Sequence, residues 1–178
     1  GGVADLGKLE LIETQTVSSA VAQVDFTSIQ ESTYNVHFLT WNNLHQGTDN
    51  KKVQVQLYES GVLETASVYQ IANQFGRADG TFVEAKSTGT SAIRLTGNNG
   101  NATNETSNGY FYGYNFGNSS KYSFLTLQSS SSDTSGSVQF DFGSGVLPQA
   151  STVDGIRLNL TGGNIESAVV SLYGIAES

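Results

Sequence analysis

The side chains best placed to do chemistry in this chain are rings. The run Gly109-Tyr-Phe-Tyr-Gly-Tyr-Asn-Phe-Gly117 holds five aromatic residues within seven positions. Read as a strand, it puts Tyr110, Tyr112, Tyr114 and Phe116 on one face. Phe111 takes the other face, where Gly113 and Asn115 leave room. Such a row can stack against the apolar faces of sugar rings, with the phenol hydroxyls bonding sugar hydroxyls. Trp41, the single tryptophan, is a further candidate ring. Tyr110, Tyr112, Tyr114 and Trp41 are therefore the candidate carbohydrate-binding residues. Rings of this kind also build sheet cores and subunit contacts, so exposure decides between the two readings.

Other chemistry is thin. The two histidines are His37 and His45. His37 shares strand parity with Leu39 and Trp41, which reads as a packed histidine. No G-x-S-x-G elbow accompanies either of them. Two histidines without cysteine make no zinc site unless carboxylates help. Asp49-Asn50 and Asp79-Gly80 come nearest to a calcium loop, and both read first as turns. Sixteen acids give no pair singled out for glycoside hydrolysis. The sequons at Asn101, Asn104, Asn118 and Asn159 are expected by chance in so Asn-, Ser- and Thr-rich a chain. The expectation is a non-enzymatic protein with no cofactor and no metal.

Composition narrows the partners. A net charge of −8 and eight Lys and Arg supply no basic track for nucleic acid and no attraction to anionic lipid. The absence of cysteine removes disulfides and thiolate chemistry. No apolar run is long enough to span a membrane. Only 13% of residues are charged, so solubility rests on Ser, Thr, Asn, Gln and Gly. The chain starts at Gly1 and holds no Met, as a processed or excerpted chain would.

The elements that must position the rings repeat with a period of two. Val24 and Phe26, Tyr34 to Trp41, Val53 to Tyr58, Tyr110 to Phe116, Tyr122 to Leu127 and Val138 to Phe142 all alternate. Asn42-Asn43, Glu59-Ser-Gly61, Asp79-Gly80, Gly117-Asn118 and Asp133 to Gly136 punctuate them as turns. Asn98–Asn108 and Ser129–Ser137 read as loops. No helical stripe interrupts the pattern. The prediction is an all-β, antiparallel two-sheet sandwich, jelly-roll-like, of about ten strands. It comprises an N-terminal segment 1–8 and a single domain 9–176. Asp154 to Ser178 reads as a closing hairpin turned at Gly162-Gly163-Asn164, ending inside the sheet with no tail for anchoring.

Several segments together carry a likeness. They are Leu9-Glu-Leu-Ile-Glu-Thr-Gln-Thr16, Val24-Asp-Phe-Thr-Ser28, Tyr34 to Trp41 with Asn42-Asn43-Leu44, and Ile93-Arg94-Leu95. The ending, Ile156-Arg-Leu through Gly163-Asn-Ile165 to Leu172-Tyr-Gly-Ile175, completes the set. In order and spacing the chain resembles a β-sandwich surface module of tailed-bacteriophage virion proteins. The resemblance implies a place on the virion surface, as a head decoration (cement) protein or a tail-fibre or adhesin tip. It implies self-association, often as a homotrimer, with the major capsid or tail proteins of the particle as partners and a host-surface glycan as a possible target. It supplies no catalytic residue. A long tail fibre would need a shaft or coiled-coil stem. At most about eight residues precede the first strand, which tilts the expectation toward decoration.

Overall fold

The protein is described from a computed structural model covering residues 8–177. The expected N-terminal segment lies outside the described residues except for Lys8, which opens the first strand. Thirteen strands follow in chain order: β1 (Lys8–Val17), β2 (Gln23–Phe26), β3 (Val36–Gln46), β4 (Val53–Glu59), β5 (Val62–Leu63), β6 (Tyr69–Arg77), β7 (Phe82–Thr90), β8 (Ile93–Arg94), β9 (Ser107–Tyr114), β10 (Ser123–Ser132), β11 (Val138–Leu147), β12 (Val153–Leu160) and β13 (Ile165–Ala176). No helix forms among the described residues.

The strands make two packed antiparallel sheets, the all-β sandwich expected from the alternation. The long sheet has eight strands in the order β1-β13-β3-β9-β10-β11-β6-β7. The short sheet runs β2-β12-β4-β5, with β8 also paired to β4. Seven inter-strand steps of about 4.8 Å make the long sheet about 34 Å wide. Its inward side chains, among them Leu39, Phe111, Leu125 and Leu172, meet Val55, Leu57, Ile156 and Leu158 of the short sheet, all fully buried. Burying each such side chain stabilises the fold by roughly 1.5–3 kcal/mol.

The closing residues are not a hairpin. β12 pairs with β2 and β4 in the short sheet, whereas β13 lies between β1 and β3 in the long one. The Gly162-Gly163-Asn164 turn, with Gly163 at φ 78°, therefore carries the chain across the sandwich. Further differences concern strand extent and strand count. The expected loop Ser129–Ser137 is half strand, because β10 continues to Ser132. β7, an exposed edge strand, and the two-residue β5 bring thirteen strands where about ten were expected. Asp49-Asn50 and Asp79-Gly80 sit in turns, with Asn50 and Gly80 at positive φ.

Candidate functional site

The run 109–116 sits at the middle of the long sheet. Tyr110, Tyr112 and Tyr114 point to its outer, solvent side, while Phe111 is fully buried. The glycines of the run serve the inner side. A side chain at Gly109 would collide with the Trp41 indole, and one at Gly113 with the Phe116 ring. One expected site residue, Trp41, and one residue expected on the aromatic face, Phe116, are displaced by this packing. Trp41 is 1% exposed, with its indole N–H donating to Ser107 Oγ at 2.9 Å. It is core and offers no ring to a ligand. Phe116 is also fully buried. Asn115 has φ 67°, the left-handed region that Asn tolerates better than most residues, so the period of two stops at Tyr114 and the chain turns Phe116 inward.

The outer face is read best along its rows of paired residues. One row runs Val36–Tyr114–Phe124–Val146 across β3, β9, β10 and β11. The next runs from Leu11 through Tyr173, Phe38 and Tyr112 to Thr126, Ser144, Ala72 and Lys86. A third runs Thr40–Tyr110–Gln128–Phe142–Gln74–Glu84. The rows divide the face in two. Toward β1, β13 and β3 it is apolar, with Leu9 52% and Leu11 59% exposed. From β9 to β7, aromatic and short polar side chains alternate.

Two ring clusters flank β10. On the β9 side, Phe38 lies 4.7 Å from Tyr112, 5.7 Å from Tyr110 and 6.1 Å from Tyr173, between ring centroids. On the β11 side, Phe140 and Phe142 stack at 5.9 Å, and Phe82 joins Phe140 at 6.0 Å. Between them, Thr126, Gln128 and Ser130 form a polar floor. A groove of about 350 Å³ follows that floor, walled by Tyr110, Tyr112 and Phe142. Further depressions continue it over Ser144 and Ala72 toward β7. The Tyr110 hydroxyl donates to Gln128 Oε1 at 2.9 Å, which leaves the Gln128 amide N–H groups for other acceptors. Sequence reasoning does not single out Phe38, Gln128, Phe140 or Phe142. The shared parity of Phe140 and Phe142 is the signal that could have found the second wall.

The opposite side of the sandwich looks different. On the outer face of the short sheet, Arg157 binds Asp25 bidentately at 2.7 and 2.8 Å and donates to the Tyr58 hydroxyl at 2.8 Å. Asn159 donates to Gln56 at 3.2 Å. The Arg157, Asp25 and Tyr58 groups satisfy one another, while Asn159 Oδ1 is buried without a partner.

The titratable groups elsewhere are held by the packing around them. His37 is fully buried, stacks on Phe116 at 5.2 Å, and donates from Nε2 to the Ile29 carbonyl at 2.8 Å. Burial lowers its pKa, so it stays neutral. His45 donates from Nδ1 to the Glu105 carbonyl at 3.0 Å and faces Glu166 at 3.6 Å. No serine hydroxyl bonds either ring among the described residues. Between the sheets, Arg94 Nη2 stands 3.1 Å from buried Asp141. Burial outweighs that guanidinium and raises the Asp141 pKa to about 6. Among the described residues, no three His, Asp or Glu side chains converge to hold a metal ion.

The chain matches no known family model and no curated protein sequence. Its function is therefore read from the two-part outer face.

Proposed function

We propose that the chain is a non-enzymatic surface component of a tailed-bacteriophage particle, a head-decoration or tail-fibre-tip module. In this reading it docks as a homotrimer, and onto capsid or tail proteins, through the apolar part of the long sheet. The observation that carries the docking is the corner, uncovered among the described residues, formed by Leu9, Leu11, Tyr173, Phe38 and Val36 on β1, β13 and β3. A soluble monomer rarely leaves so continuous an apolar area in water. The opposite face, already internally paired at Arg157 and Asp25, gains nothing comparable from a partner. The phage assignment rests on the order and spacing of the segments described above. The mechanism is passive. Each half-exposed apolar side chain covered adds about 1 kcal/mol, and the rigid two-sheet core holds the face in shape.

Size-exclusion chromatography with light scattering tests the self-association, and mass spectrometry of purified particles tests the location. The expected results are a trimer and a virion-associated protein. Leu11→Lys, on an outward position of β1, is expected to give monomer with an unchanged fold. A wild-type chain that stays monomeric at every concentration and is missing from particles overturns the proposal.

A further inference from the structure

The grooved part of the outer face is chemically unlike the apolar corner and lies on other strands. It is built as two aromatic walls with a floor of hydroxyls and an amide. Gln128 sits directly between Tyr110 on β9 and Phe142 on β11. The strands that carry the two walls therefore lie two strand spacings apart, about 9.6 Å between backbones, with the Gln128 side chain between them. Rings border the groove and an amide and a hydroxyl line its floor, so it offers apolar contact to the face of a ligand ring and hydrogen bonds to its edge. Its long direction follows β10. From Gln128 to Phe124 the strand rises about 14 Å, and the depression over Ser144 and Ala72 extends it. That length suits a short chain of rings better than a single one.

The polar groups define the ligand further. Gln128 uses its carbonyl on Tyr110 and keeps its N–H donors. Thr126 and Tyr112 bring hydroxyls that both donate and accept. Alternating hydroxyls on a ring with apolar faces are the matching surface. The charge around the groove disfavours an anion. The charged side chains that line its extension, Glu84 and Lys86, bind each other at 2.8 Å, and the whole chain carries −8, which repels anionic ligands at a distance.

We infer that this groove binds an uncharged pyranose oligosaccharide lying along β10, clasped between Tyr110/Tyr112 and Phe142 and hydrogen-bonded by Gln128 and Thr126. The site uses neither Trp41 nor Phe116. It does not depend on the phage reading, since it is built on β9, β10 and β11, beside the docking corner on β1, β13 and β3.

The test is a glycan array of neutral and acidic oligosaccharides, bacterial surface glycans included, probed with the full chain and followed by calorimetric titration of the strongest binder. Binding confined to uncharged glycans is expected. Phe142→Ala should weaken it roughly tenfold or more and Gln128→Ala by a smaller factor, with the emission of buried Trp41 unchanged in both. The docking variant Leu11→Lys should bind as wild type does, so loss of the trimer and loss of the sugar are read separately. A blank array, binding of acidic glycans alone, or binding indifferent to both Phe142→Ala and Gln128→Ala overturns the inference. A blank array beside a trimeric, virion-associated protein would leave the docking reading standing without the groove's part in it.

Discussion

Asp141 shows how a single side chain can set the response of the protein to acid. Its carboxyl is 1% exposed and faces Arg94 from between the sheets. Burial lifts its pKa from 3.8 to about 6. Between those values the folded chain binds a proton more tightly than the unfolded chain, so stability from this group is complete below about pH 4. It is lost as pH rises through about 6. A rise of that size corresponds to on the order of 3 kcal/mol. Calorimetric melting from pH 4 to 7 should show wild type losing stability relative to Asp141→Asn across that window; parallel curves would refute the assignment. Gly109 is a residue-scale constraint of another kind. Gly109→Ala would force the Trp41 ring off the β9 backbone, costing about 1–3 kcal/mol by overpacking. Because Trp41 is the only tryptophan, a red shift of its emission with a lowered Tm is the expected signature.

Asp133 does for an element what Gly109 does for a residue. Its Oδ1 accepts the backbone N–H of Ser135 and of Ser137, each at 2.9 Å, and the Ser135 hydroxyl at 2.7 Å. It thereby closes the turn between β10 and β11 that carries the groove floor and the Phe142 wall. Asp133→Ala should cost about 2 kcal/mol and speed hydrogen exchange at Ser135 and Ser137 while leaving β13 protected. Elements also mark where sequence reasoning stops. Strands with inward Val, Leu or Phe were legible, because a period of two has one physical meaning. β7 was not, since at the sheet edge Glu84, Lys86 and Thr88 need no apolar alternation. Phe116 was misplaced because parity holds only while the backbone is extended, and Asn115 leaves that region. Trp41 had the parity of Leu39 and followed it into the core. The aromatic wall on β9 could be read as a face, but its partner on β11 needed the register. The Gly162–Asn164 turn specifies a reversal and nothing about whether the two strands pair afterwards.

At the scale of the whole molecule the two outer faces have different futures. One is polar and paired within itself at Arg157, Asp25 and Tyr58; the other is apolar at one side and grooved at the other. If copies associate through the apolar corner, folding and assembly are linked by mass action. Tm should then fall on each tenfold dilution of wild type and stay constant for Leu11→Lys. A Tm independent of concentration for both would contradict the linkage. The passage of the last residues from the short sheet to the long one has a consequence for how the protein is made. Lys8 pairs with Ala176 and Val24 with Leu158, so β1 and β2 wait for partners made much later in the chain. Neither sheet can be completed on the ribosome while its C-terminal strand is inside the exit tunnel. β1 and β2 must emerge as unpaired apolar edges, open to wrong partners, and the late closure of such long loops makes folding slow. The final strands act as a latch: truncation by a few residues inside β13 is expected to leave a chain that aggregates during synthesis, not a slightly shorter sandwich.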